Sequence, residues 1–171
     1  MILASSDAVK LRRMTEADLD YVVSIEHAAA RNRFVGEWTR AQHKQALEEP
    51  GRLHAIVESV ETGQPVGFIL LAGIDSADRS IEFLRIVVDP PGQGYGRQAI
   101  RLLKRYVFDD LEAHRLWLDV KDLNARARAV YRSEGFVEEG TLRECVKGPD
   151  SYESVLIMAI LDREHESAII D

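Results

Sequence analysis

The segment from Ser80 to Phe136 limits the choice of fold more than any other part of the chain. It reads S-IEFLRIVVD-PPGQGYG-RQAIRLLKRYVFDDL-EAH-RLWLDV-KDL-NARARAVYRSEGF. Ile81–Val88 carries apolar side chains at both alternating parities (Ile81, Phe83, Val87 and Leu84, Ile86, Val88), the pattern of a strand covered on both faces. The residues that follow put Ala99, Ile100, Leu103, Val107 and Leu111 on one helical stripe, with Arg101, Lys104, Arg105 and Asp109 outside it. Leu116–Val120 is too short for a helix and rich in β-formers, so it reads as a second strand, followed by a second helix. Strand, helix and strand in this order make a right-handed crossover. The glycine-rich loop Gly92–Gly96 then lies at the carboxyl end of the first strand, where such units bind ligands.

That loop has the chemistry of an anion site. Gly92, Gly94 and Gly96 alternate, so the backbone can take positive φ and nothing beyond Cα blocks close approach. The amides of Gln93, Gly94, Tyr95, Gly96 and Arg97 fall at a helix start, where N–H groups lack helical partners and the dipole is positive. Arg97 adds a cation, and a phosphate or pyrophosphate is the natural guest. One candidate guest is a nicotinamide nucleotide, because Gly94-Tyr95-Gly96-Arg97-Gln98-Ala99 fits G-x-G-x-x-A and Asp119 ends the next strand about 20 residues on. Against it, Asp89-Pro90-Pro91 separates strand from glycines, and few β-α repeats remain after Phe136.

The remaining chain supplies a prelude and a closing hairpin. Val9–Met14 reads as a strand, Thr15-x-x-Asp18 as a helix cap, and the helix runs to about Ala30. Thr39-x-x-Gln42 is a capping box for a second short helix that stops near Glu49-Pro50-Gly51. His54–Glu58 and Val66–Ala72 form a hairpin, as do Phe136–Arg143 and Tyr152–Leu161, and residues 162–171 read as a frayed tail. At 171 residues the chain is expected to be one domain, with residues 80–136 as its core. No run of 18 apolar residues occurs and the opening MILASSDAVK is too polar for a signal peptide, so no membrane partner and a cytoplasmic location are expected. The single Cys145 excludes an internal disulfide, and the histidines at 27, 43, 54, 114 and 165 lack metal spacing, so no metal is expected. A net charge of −7 disfavours nucleic acid and mildly favours a cationic partner.

Taken together, Gly94-Tyr95-Gly96, WLDV at 117–120, Asn124, Ala127, Tyr131 and Gly135-Phe136 resemble the core of the GNAT acetyltransferase superfamily. The EG-x-LRE run at 139–144 is similar to its branch of ribosomal-protein N-terminal and spermidine acetyltransferases. The resemblance implies an α+β fold of order β-α-α-β-β-β-α-β-α-β-β, with a mixed, twisted sheet of six to seven strands and helices on both faces. It also implies acetyl-CoA as co-substrate, and direct transfer in a ternary complex to a peptide N-terminus or a small amine such as a polyamine. In its terms the backbone of Ile86, Val87 and Val88 pairs with the pantetheine arm and polarises the thioester, and Gln93–Arg97 with Asn124 hold the donor. Tyr131 is then the acid for the departing thiolate, with Asp119 first and Glu82 second as base. Phe34 and Trp38 are candidates for an acceptor wall, with Glu37, Arg143, Glu144, Tyr152 and Glu153 as charge-setting neighbours. The family's Arg or Gln before the glycines falls here on Pro91, which removes one phosphate contact. A nicotinamide-dependent oxidoreductase and a coenzyme A sensor without turnover are the alternatives, and a homodimer is left open.

Overall fold

The computed structural model describes residues 1–31 and 34–165. Its frame is one eight-stranded sheet of β1 (Ile2–Ser5), β2 (Val9–Arg13), β3 (Arg52–Ser59), β4 (Pro65–Ala72), β5 (Ser80–Val88), β6 (Arg115–Lys121), β7 (Val137–Lys147) and β8 (Tyr152–Leu161). The spatial order is β1-β2-β3-β4-β5-β6-β8-β7, and β5–β6 is the parallel neighbour pair. The helices are α1 (Leu19–Ala30), α2 (Arg40–Glu48), α3 (Tyr95–Arg105) and α4 (Ala125–Ser133), with a π-turn at Tyr106–Asp110 extending α3.

The expected mixed sheet with helices on both faces is present, with one more strand than expected. The additional strand is Ile2–Ser5, which pairs antiparallel with β2 through Ile2↔Arg12 and Ser5↔Lys10. A four-residue strand with one apolar flank gives too little periodicity to read from sequence. The last hairpin is also longer, since β7 continues to Lys147, and residues 162–165 take a helical turn where a frayed tail was expected. Residues 166–171 of that tail lie outside the described residues.

Two cores flank the sheet. On one side, α3 packs Ala99, Ile100, Leu102 and Leu103 against Val9, Ile69, Phe83, Leu118 and Phe136. On the other, α1 packs Val22 and Ile25 against Ile56, Phe68, Leu70 and Val87. Both parities of β5 are therefore used, as its sequence demands. The capping box at Thr39 forms as expected, with Gln42 N donating to Thr39 Oγ1 at 3.2 Å and Thr39 N donating to Gln42 Oε1 at 2.8 Å. It fixes where α2 starts, and hence where the preceding loop must close over the sheet.

Candidate active site

A cleft of about 810 Å³ opens where β5 and β6 part. Their ladder contains Ser80↔Arg115, Ile81↔Leu116 and Glu82↔Trp117, and no later pair. Beyond it β5 stays with β4 as far as Val88, while β6 pairs along its whole length with β8. A bulge marks the divergence, since Leu71 faces Phe83 and Leu70 faces Arg85, leaving Leu84 as the extra residue. Bulges bend a strand and raise its local twist. The backbone of β5 from Phe83 to Val88 thus has no ladder partner on its β6 side, an open edge for an extended ligand. Ile86 and Val88 line the cleft, whereas the Val87 side chain is buried in the opposite core.

The glycine loop closes one end. Gly94 is the N-cap of α3 at φ 82°, in the left-handed region that favours glycine, and Gln98 N makes the first helical bond back to Gly94 O. Tyr95, Gly96 and Arg97 precede that bond, so their amides face the mouth without helical acceptors. Gly94, Tyr95, Gly96 and Arg97 line the cleft, and Gln93 does not. The Arg97 side chain is engaged elsewhere: its Nη1 donates to Ser133 Oγ and Glu134 Oε1, both at 2.7 Å. Glu134 also receives Arg101 Nε at 3.1 Å. Burial pushes the Glu134 carboxyl up, but the bonds from Arg101 and Arg97 outweigh it and the net shift is downward. The expected cation of the loop is therefore engaged as a strut between α3 and α4, and the amides of Tyr95, Gly96 and Arg97 remain as the loop's donors without helical acceptors. Asn124 is partly structural too, its Oδ1 accepting from Ala127 N at 3.2 Å as the α4 cap, at the cleft wall.

Tyr131 and Asp119 both line the cleft. The Tyr131 ring is held edge-on by Phe83 and Phe136, with centroids 6.0 and 5.7 Å away. Burial, with Asp119's charge behind it, pushes its hydroxyl up to about 12, so it is protonated at any working pH. Asp119 keeps a solvent-exposed side chain between the cleft walls, and that partial desolvation raises its carboxyl above the ordinary range. Glu82 is raised too, by burial and then by Asp119, but it lies outside the cleft lining. The two carboxylates are thus separated by position: Asp119 reaches the site and Glu82 stands behind it.

The loop expected to face the acceptor precedes α2, and its residues 32 and 33 lie outside the described residues. Phe34 lines the cleft together with Val35 and Gly36. Trp38, the other expected wall residue, is not at the cleft surface; it pins the loop. Arg85 and Arg52 lie 5.1 and 5.4 Å from its ring centre, and the His43 ring is 5.2 Å away. Of the charge-setting neighbours, Glu37 pairs with exposed His27 at 2.5 Å. Arg143, Glu144, Tyr152 and Glu153 of the last hairpin do not line the cleft.

Beneath Trp38 lies a polar cluster the sequence did not reveal. Glu26 is fully buried and accepts from Trp38 N at 2.7 Å, His43 Nε2 at 2.9 Å and Arg85 Nη1 at 2.8 Å. Burial opposes its charge, yet these three bonds outweigh burial and lower its pKa. Glu26 sits at an apolar position of the α1 stripe, which is the signal that could have marked it. His54 is buried beside the cluster and pushed down to about 4 by burial. Between about pH 6.5 and 4 the unfolded chain takes a proton at His54 that the folded chain refuses, so stability falls as pH drops through that window. The gap corresponds to roughly 3 kcal/mol. His54→Leu should remove that share of the acid-side loss, as read by urea unfolding at pH 7 and pH 4.5; an unchanged pH dependence would assign the loss elsewhere.

Comparison with known proteins agrees with this architecture. The family model described as an acetyltransferase (GNAT) domain matches residues 8–137. Spermidine N(1)-acetyltransferase of Escherichia coli K12 is 27% identical over 175 residues, covering 95% of this chain and 91% of its own. Ribosomal protein bS18-alanine N-acetyltransferase of the same organism is 39% identical over 79 residues, 44% of this chain and 51% of its own. A solved spermidine N-acetyltransferase chimera of Vibrio cholerae SpeG and hSSAT matches with a TM-score of 0.84 at 26% identity, over 94% of this chain and 99% of that one.

Proposed function

The chain belongs to the GNAT acetyltransferase family, and from that premise we propose that it moves the acetyl group of acetyl-CoA directly to a primary amine in a ternary complex. The acceptor class spans a peptide N-terminus and small amines such as polyamines, the two kinds of substrate its relatives' names carry. One observation supports this reading above the others: the β5–β6 ladder stops after Glu82↔Trp117, leaving a cleft lined by loop, open strand edge and Tyr131. The nicotinamide reading fits poorly, because a doubly wound nucleotide fold needs successive parallel strands, and here the parallel neighbour pair is β5–β6.

Each residue then has a task. The amides of Gly94–Arg97 hold the donor's diphosphate at the positive end of α3. The open edge of β5 pairs with the extended amide-bearing arm, and an N–H near Val88 receives the developing oxyanion. Asp119, directly or through one water, takes the proton from the amine as the C–N bond forms. Tyr131 gives its proton to the sulfur as the C–S bond breaks. Residues 1–171 act as a single domain in this scheme. Among the described residues no helix is long and apolar enough to cross a membrane, and no group of three His, Cys, Asp or Glu side chains gathers as a metal site.

The test is thiol release from acetyl-CoA with a panel of N-terminal peptides and amines, alongside thermal shifts. Acetyl-CoA should raise Tm, by about 2.7 kcal/mol of stabilisation at 100-fold excess over Kd, while NAD should not. A shift with acetyl-CoA but no thiol from any amine would mark a sensor rather than an enzyme.

A further inference from the structure

The acceptor wall contains a cation whose hydrogen bonds are only partly used. Arg85 belongs to β5, and the extra residue Leu84 puts it on the same face as Val87, toward α1. Its Nη1 donates to buried Glu26, and its guanidinium lies against Trp38. Nε and Nη2 have no acceptor among the described residues. Nη2 is held against Gly36: a Cβ built there would lie 2.7 Å from it. Both Arg85 and Gly36 line the cleft, and the Arg85 side chain keeps 14% exposure. These are donors facing the space where an acceptor must enter.

We propose that Arg85 selects the acceptor: its Nη2 edge takes the carbonyl oxygen adjacent to the reacting amine, so the substrate is a peptide N-terminus and not a polyamine. The inference rests on the amine-acetylation reading. Two features choose a carbonyl over other partners. Glu26 already neutralises the guanidinium, so a second carboxylate would gain little Coulomb energy, whereas a neutral oxygen still satisfies a waiting donor. The cleft also offers a polycation few counter-charges: among the described lining residues Asp119 is the carboxylate, and Glu26, Glu134 and Glu153, which pair with the lining cations Arg85, Arg97 and Lys121, are already engaged. A polyamine would bring further ammonium groups to that wall and offer Arg85 no acceptor atom. The bond to Glu26 fixes the guanidinium plane, so the carbonyl is recognised in one orientation.

The experiment compares tetra-alanine amide, n-propylamine and spermidine as acceptors for the parent, Arg85→Met, Arg85→Lys and Gly36→Ala. The parent should prefer the peptide, and Arg85→Met should lower the peptide-to-propylamine ratio of kcat/KM about tenfold. That loss should sit in the peptide's KM, with the KM of acetyl-CoA unmoved and Arg85→Lys restoring part of the ratio. Gly36→Ala guards against misfolding, because the methyl group meets only the flexible end of Arg85 and displaces Nη2 while Glu26 stays paired. It should lower the same ratio. Equal losses on peptide and propylamine, or a parent that prefers spermidine, would overturn the assignment to Arg85 alone. Thiol release with none of the three would overturn amine acetylation as well.

Discussion

Tyr131→Phe should lower kcat by about 10²- to 10³-fold, within the range of a positioned general acid, and leave the Kd of acetyl-CoA nearly unchanged. The expectation comes from what the substitution removes. The ring is clamped edge-on between Phe83 and Phe136, and Phe fills that clamp equally well, so neither core nor cleft should move. Only the hydroxyl disappears, and no described residue bonds to it, so its protein environment is packing and Asp119's field. With a pKa pushed up to about 12, the hydroxyl arrives protonated and can follow the sulfur as charge builds there. The parent's kcat should then show no alkaline limb from Tyr131 through pH 9, and the acid limb should follow the raised Asp119 carboxyl. Stopped-flow thiol release with calorimetry on both proteins checks this. A variant that binds acetyl-CoA poorly yet turns over normally would remove Tyr131 from the acid role and make it a donor contact.

What the sequence made legible follows a simple physical division. Elements whose partners are local or periodic were readable: the two-sided apolar pattern of Ile81–Val88, the α3 stripe, the Thr39 capping box and the glycine loop. Each is set within a few residues of itself. Features that arise from non-local pairing were not. The bulge at Leu84 depends on β4 opposite it, and only that bulge sends Arg85 to the α1 face, where it meets Glu26. Arg97 reads as a phosphate ligand because it follows the glycines, yet Glu134, 37 residues on, holds it first. Trp38 reads as a wall because it is aromatic in a loop, yet two arginines and a histidine fold it under that loop. Asp119 and Glu82 both read as candidate bases, and both carry raised pKa values; that Asp119 lines the cleft while Glu82 does not depends on where the sheet opens, which strand parity alone does not tell.

Glu26→Ala should be the most damaging substitution away from the cleft, lowering stability by about 3–5 kcal/mol, the usual result of removing one partner of a buried pair. In a chain of this size that is a fall in Tm on the order of 10 °C or more. The carboxylate is fully buried, and its loss strands three donors at once: Trp38 N, His43 Nε2 and Arg85 Nη1. Arg85 would then be a partly buried cation without a counter-charge, which is the larger share of the cost. The pH dependence has a definite sign. Because the folded pKa of Glu26 lies below its ordinary value, its contribution is complete above the unfolded carboxylate range and lost as pH falls through the folded value, so parent and variant should converge in acid. The double variant Glu26→Leu with Arg85→Met removes both charges and should recover most of the lost stability at neutral pH, as buried pairs replaced by apolar groups commonly do. It should not recover peptide preference, since the carbonyl-binding donor is gone. Stability without selectivity in the double variant would separate the two roles of this pair; a double variant as unstable as Glu26→Ala would mean that Trp38 N and His43, not the stranded arginine, carry the loss.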